Sequence, residues 1–154
     1  MAQGRVYVVA GGQSTAASAT ETAVRITAPA NRIVRIRRVR VSQVTHGTSE
    51  QYTLAAKLAS AAGSGGAART PVPLQPQQGA AGSTAESGPT SEPTYTGSEL
   101  ILVGWNSLTG RDLFLPDGDE IVVAPSGIIG FYVVSAGGLT TFTPSVEVTF
   151  EELG

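Results

Sequence analysis

The sequence predicts an all-β chain: a jelly-roll β-sandwich of about eight antiparallel strands. Three observations lead there. Residues 30–61, ANRIVRIRRVRVSQVTHGTSEQYTLAAKLASA, are rich in Ile, Val, Thr and Tyr, contain no Pro, and alternate apolar with polar side chains as strands do. The later apolar runs are short and are separated by turn signals, Pro116-Asp117-Gly118, Pro125-Ser126-Gly127 and Ala136-Gly137-Gly138. No apolar pattern keeps a helical period for more than about three turns. The length, 154 residues, suits a single domain over residues 1–154.

Taken in order, residues 5–10 form a short apolar strand, and residues 11–20 a small, polar leash. Together residues 1–20 make a flexible N-terminal strand and arm. Residues 22–28 alternate, with Val24 and Ile26 inward and Arg25 outward, and Pro29-Ala30-Asn31 turns the chain. In the next strand Val34 and Ile36 share a face opposite Arg35 and Arg37, but from Val39 the parity changes. A one-residue slip would expose the core face, so a bulge near Arg37-Arg38 is expected to restore the register and bend the strand. After a hairpin turn at His46-Gly47-Thr48-Ser49, the partner strand points Tyr52, Leu54, Ala56 and Leu58 inward.

Residues 62–97 are Gly, Ala, Ser and Pro-rich, with Val72, Leu74 and Tyr95 the large apolar or aromatic side chains, and form a long loop excursion. A structureless loop of that length is unusual in a compact domain. It is either a disordered insertion or an ordered excursion that touches a partner. Within it, TPVPLQP at residues 70–76 reads as an extended segment laid over a surface. Strands then follow at residues 98–105, 113–115, 120–124 and 128–134, the last two buried on both sides because their apolar runs are nearly continuous. Residues 140–151 close the fold with Phe142, Val146, Val148 and Phe150 on one face, and Pro144 marks a strand start or an edge. The expected core is Val24, Ile26, Val34, Ile36, Val39, Val41, Leu54, Leu58, Leu100, Leu102, Val122, Phe131, Val133, Val146 and Val148.

The formal net charge is only -2, but the charge is divided along the chain. Arg25, Arg32, Arg35, Arg37, Arg38 and Arg40 lie in a stretch with no acidic residue between Glu21 and Glu50, whereas ten acidic residues face the single basic Arg111 from Glu86 onward. Arg35, Arg37, Arg38 and Arg40 are therefore candidate interface residues. They are open to three readings: contact with another subunit or an acidic protein surface, a solvated or internally paired face, or nucleic-acid contact. The last is disfavoured, because the chain is net acidic and no aromatic platform interleaves the arginines. Val72, Leu74 and Trp105 are further interface candidates, Trp105 being equally readable as a core anchor.

Little points to catalysis, and the chain is not expected to be an enzyme or to need a cofactor or metal. There is no cysteine, and His46 is the single histidine. A thiolate site is thereby excluded and a zinc site disfavoured. The PDGDE sequence at residues 116–120 reads as a turn, with a calcium corner as the alternative. No Gly-x-Ser-x-Gly elbow and no phosphate-binding Gly-Lys-Ser/Thr loop are present. No run approaches the ~20 apolar residues of a membrane span, and MAQGRVYVV is unlike a secretory signal, so folding in a cytoplasm is expected.

Several strings resemble small virion proteins of tailed bacteriophages. They are VSQVTHGTSEQ from Val41, LAAKLASA from Leu54, TPVPL from Thr70, Gly104-Trp105-Asn106, the stretch from Leu115-Pro116 to Val123, and Pro125-Ser126-Gly127-Ile128. The resemblance covers roughly residues 22–134. It implies a head decoration, or cement, protein: a β-rich structural subunit, often a homotrimer, that binds the major capsid protein on the outer capsid surface and has no catalytic residue. The competing reading is a glycan-binding or host-contacting jelly-roll module of a head fibre or tail, drawing on Tyr95, Trp105 and the PDGDE turn.

Overall fold

The computed structural model describes residues 4–12, 21–43, 49–135 and 143–154. Among these the chain is all-β, with no helix. The strands are β1 (Arg5–Gly12), β2 (Glu21–Thr27), β3 (Ile33–Gln43), β4 (Gln51–Ala61), β5 (Ala67–Arg69), β6 (Val72–Pro73), β7 (Thr84–Ser87), β8 (Thr94–Asn106), β9 (Arg111–Phe114), β10 (Ile121–Val123), β11 (Ile128–Ser135) and β12 (Pro144–Leu153). Two antiparallel sheets pack as a sandwich. One runs β10-β3-β12-β1-β6, with β9 pairing the same edge of β3 beyond β10; the other runs β5-β7-β2-β11-β4-β8.

The inner faces meet in one core. Tyr7, Val34, Ile36, Val39, Val148 and Phe150 come from the first sheet, and Val24, Ile26, Leu54, Ile129, Phe131 and Val133 from the second. Each large side chain buried here contributes about 1.5–3 kcal/mol of transfer free energy, which makes the in-or-out parity of every strand energetically decisive. The parity change in β3 is resolved as the sequence requires. Thr149 pairs Arg38, and the next residue, Phe150, pairs Ile36, so Arg37 is the extra residue of a bulge. Val34, Ile36, Val39 and Val41 are all buried as a result.

Other expectations are corrected. Residues 30–61 do not form a hairpin: β3 lies in the first sheet and β4 in the second, so the chain crosses between sheets there. Both edges of β3 are already taken, by β12 on one side and by β9 and β10 on the other. His46, Gly47, Thr48, Phe142 and the leash at 13–20 lie outside the described residues. β1 is an interior strand held between β12 and β6, not part of a free arm. Leu58, Leu100, Leu102 and Val122 are exposed by 37%, 47%, 68% and 51%, and are not core. In β8 it is Ile101, Val103 and Trp105 that pair Ala56, Leu54 and Tyr52 and so face inward, which turns Leu100 and Leu102 to the outside. In β10 Val122 pairs the outward Arg35, so β10 is buried on one side only. Leu58 keeps inward parity but sits where the sandwich tapers.

The long excursion supplies β5, β6, β7 and the start of β8. It leaves the β4 end of the second sheet, and β7 pairs β2 on that sheet's far side. Polar bolts take the place of a core. The Glu152 carboxylate, fully buried, accepts hydrogen bonds from Ser83 N–H and Oγ–H, each 2.7 Å, and from Gly82 N–H at 3.2 Å, and pairs Arg32 at 2.9 Å. Buried Arg25 pairs Glu86 at 2.7 Å and donates to the Ala62 carbonyl. Tyr7 donates its hydroxyl to Gly79 O at 3.0 Å, and Leu74 N–H donates to Val6 O at 3.0 Å. At the return, Tyr95 lies over Gly130, where any Cβ would collide with its hydroxyl, and stacks on Tyr132 at 5.3 Å.

Burial alone would raise the Glu152 pKa, but the hydrogen bonds from Ser83 and Gly82 and the Arg32 charge outweigh it and hold it below its ordinary 4.5. A depressed folded pKa means that the stabilisation is complete above the unfolded value and is lost as pH falls through the folded one. Glu152→Gln is expected to cost about 2–3 kcal/mol at neutral pH. Thermal melts between pH ~6 and ~3 should show the gap between wild type and variant closing toward the acid end. A constant gap would assign the anchoring to the shape of residue 152 and not to its charge.

Candidate interaction surface

The bulge turns every guanidinium of β3 to the outer face of the first sheet. β9, the β9–β10 connection and β12, which flank β3, carry the carboxylates that meet them. Arg37 is the hub. Its Nη1 lies 2.6 Å from Glu120 Oε1 and also bonds Asp117, and its Nε and Nη2 lie 3.0 and 2.6 Å from Glu151 Oε2. Arg35 stands 3.7 Å from Glu120 and 3.9 Å from Glu151. Arg38 forks onto Asp112, with Nε 2.7 Å from Oδ1, and its guanidinium covers the Phe114 ring at 4.7 Å. Arg40 reaches Glu147 at 3.5 Å and Asp112 at 3.7 Å.

The ladder is therefore paired within the chain, the internal one of the three readings. Glu120 and Glu151 keep only 9% and 12% of their side-chain surface, so they depend on Arg37, whereas Arg40 is 45% exposed and is screened by water. Burial works against the Arg37 charge, but its bonds to Glu151 and Asp117 keep its pKa above the usual value. The hydrogen bond from Arg38 holds Asp112 below its usual range, and the bond from Arg37 does the same for Asp117. With five carboxylates around four guanidiniums, this face offers an acidic partner little net positive charge.

Trp105 is 3% exposed and packs on Tyr52 at 5.6 Å, so it is a core anchor and not an interface residue. Val72 and Leu74 are exposed, on and just beyond the β6 edge, where Pro71 and Pro73 keep the backbone extended as the TPVPLQP pattern indicates. The residues of the glycan reading do not gather. Trp105 is buried, and Tyr95 is covered enough for burial, the leading cause, to push its phenol up to about 12. Asp117 and Glu120 of the PDGDE turn are bound to Arg37, and Gly118 N–H donates to Glu120 at 2.9 Å. Among the described residues no group of three or more His, Cys, Asp and Glu could hold a metal ion. Sequence reasoning missed the outer face of the second sheet, where Ala55, Glu99, Leu102, Gly104, Tyr132 and Val134 line a shallow depression and Leu100 is also exposed. The signal was present in Leu100-Ile101-Leu102-Val103, an apolar run that cannot bury both parities. No protein-family model, curated protein or solved structure matches this chain.

Removing the hub leaves two nearly buried carboxylates with Arg35 alone. Arg37→Ala is expected to cost about 1–2 kcal/mol, and Arg40→Ala less than about 0.5 kcal/mol. Urea unfolding measures both. Equal costs would mean that the ladder acts as a solvated face.

Proposed function

We propose that this chain is a structural virion protein of a tailed bacteriophage, a jelly-roll subunit that binds the major capsid protein and stabilises the outside of the head as an oligomer. The observation that carries the reading is the strand order. With β9 and β10 counted as one strand, because they line successive parts of one edge of β3, and with the short β5, β6 and β7 of the excursion set aside, the reading takes eight strands as the framework. In chain order these strands alternate between sheets except for the fourth and fifth, which are neighbours in one, giving 1-8-3-6 in one sheet and 2-7-4-5 in the other. That order supports a jelly roll of two Greek keys, an architecture shared by viral capsid, lectin and cupin domains. The sequence strings that resemble phage virion proteins supply the rest of the reading, including the homotrimer and the absence of a catalytic role. An added subunit needs a rigid body and exposed apolar contacts, and Val72 and Leu74 at the proline-stiffened edge offer the latter.

Co-sedimentation with capsids of the cognate phage that lack this protein tests the proposal. Saturable binding and a raised capsid melting temperature are expected. Val72→Asp with Leu74→Asp should weaken binding by about tenfold or more, with the subunit's own melting temperature little changed, since both side chains are exposed. No binding by the wild-type protein would refute the reading.

A further inference from the structure

The chain guards its sheet edges unequally. β5, β6, β9 and β10 have four residues or fewer. β5, β6 and β9 carry Arg69, Pro73, and Arg111 with Asp112, features that discourage pairing with another strand, and β10 is only three residues long. β8 is the exception, with thirteen residues and β4 as its hydrogen-bonded neighbour. Its first half is broken by Gly97, at φ 72°, and by a register shift between Ala56 and Leu58. Its second half, from Ile101 to Asn106, stays in register with β4 and has no charge, no proline and no bulge, and Leu100 is the last residue of the irregular segment before it.

The direction of its backbone groups follows from one bond. Ser107 N–H donates to Glu50 O at 3.0 Å, continuing the register in which Trp105 faces Tyr52 and Ile101 faces Ala56. Antiparallel ladders bond at every second pair, so Ile101, Val103 and Trp105 bond β4, Leu102 and Gly104 turn N–H and C=O to an edge that no other described strand pairs, and the Leu100 C=O, opposite the Ile101 N–H across their peptide, points the same way. Their side-chain positions lie on the outer face, where Leu100 and Leu102 are 47% and 68% exposed.

We propose that this edge pairs with the same edge of a second copy, antiparallel about a two-fold axis at Leu102. Self-complementarity singles out the second copy as the occupant. In that register Leu102 meets its own symmetry mate, and each Leu100 meets Gly104 of the other copy, where the missing side chain leaves room for the leucine. The Leu102 pair exchanges two N–H···O bonds, and each Leu100 C=O accepts from the Gly104 N–H it faces. The apolar centre is flanked by Asn106 and by Glu99, whose charge is met by Lys57 at 3.4 Å, and in this register Glu99 faces Trp105 and not another acidic residue. The registered edge is only about 20 Å long, and a contact along one strand edge buries less than the ~800 Å² per partner of a stable interface, so the pair is weak in solution and strengthens where copies are held side by side. The inference does not rest on the virion reading, and the contact can join single chains or larger assemblies.

A chain without cysteine makes the test direct. The two Leu102 positions come within disulfide reach, but the two Gly104 positions are separated by about 13 Å along the strands. Under mild oxidation at high protein concentration, Leu102→Cys should form covalent pairs at least about tenfold faster than Gly104→Cys. A Cβ at 104 meets nothing closer than Tyr52 O at 3.9 Å, so that control should fold. In sedimentation, the mass of the wild-type protein should rise with concentration, and Leu102→Lys should abolish that rise, leaving the mass of the starting assembly. Equal cross-linking by the two cysteine variants would overturn the proposal. So would a mass unchanged by Leu102→Lys, including the case in which the edge is left to a different protein.

Discussion

The extra residue at Arg37 is the constraint on which the first sheet depends. β3 has to bury Val34, Ile36, Val39 and Val41 and to display four arginines, and strict alternation cannot do both across the Arg37-Arg38 pair. One bulged residue resolves the conflict. On its inner side it lets Ile36 meet Phe150 and Val39 meet Val148, so the core is continuous. On its outer side it places Arg37 where Glu120 and Glu151, both nearly desolvated, converge. The same backbone event thus sets the packing of the core and the neutrality of the outer face.

A second principle organises the long excursion. Its side chains are too small to build a core, and ordering a residue costs roughly 1–2 kcal/mol of backbone entropy. The sandwich offsets that cost with charges of its own that need partners. Glu152 of β12 is satisfied by Ser83 and Gly82, and Arg25 of β2 by Glu86 and Ala62. Neither anchor is stable alone, because a buried charge left unpaired costs more than a pair contributes. The excursion and the sandwich therefore complete each other.

These features differ in how far the sequence discloses them. The bulge was legible because Val34-Arg35-Ile36 and Val39-Arg40-Val41 have opposite parity, and the inward face of β4 was legible because Tyr52, Leu54 and Ala56 alternate. The direction of β8 was not, since Leu100-Ile101-Leu102-Val103 is apolar on both parities and only pairing with β4 decides between them. The separation of β3 from β4 into different sheets was hidden for a related reason: alternation reports which face is buried, not which neighbour lies alongside. The acidic partners of the arginines were foreseeable as the C-terminal carboxylates. Their identity depends on the path from β9 to β10, which no periodicity encodes. The burial of Glu152 under serine and glycine leaves no local trace at all.

Deleting Arg37 isolates the role of the bulge. The remaining string, Val34-Arg35-Ile36-Arg38-Val39-Arg40-Val41, alternates without interruption, so the core face survives and only the hub of the ladder is lost. Urea unfolding of this deletion is predicted to be cooperative, with a stability within about 1 kcal/mol of Arg37→Ala. A deletion that abolishes cooperative folding while Arg37→Ala folds normally would contradict the account, because the bulged backbone itself, and not the pattern it reconciles, would then hold the sheet together.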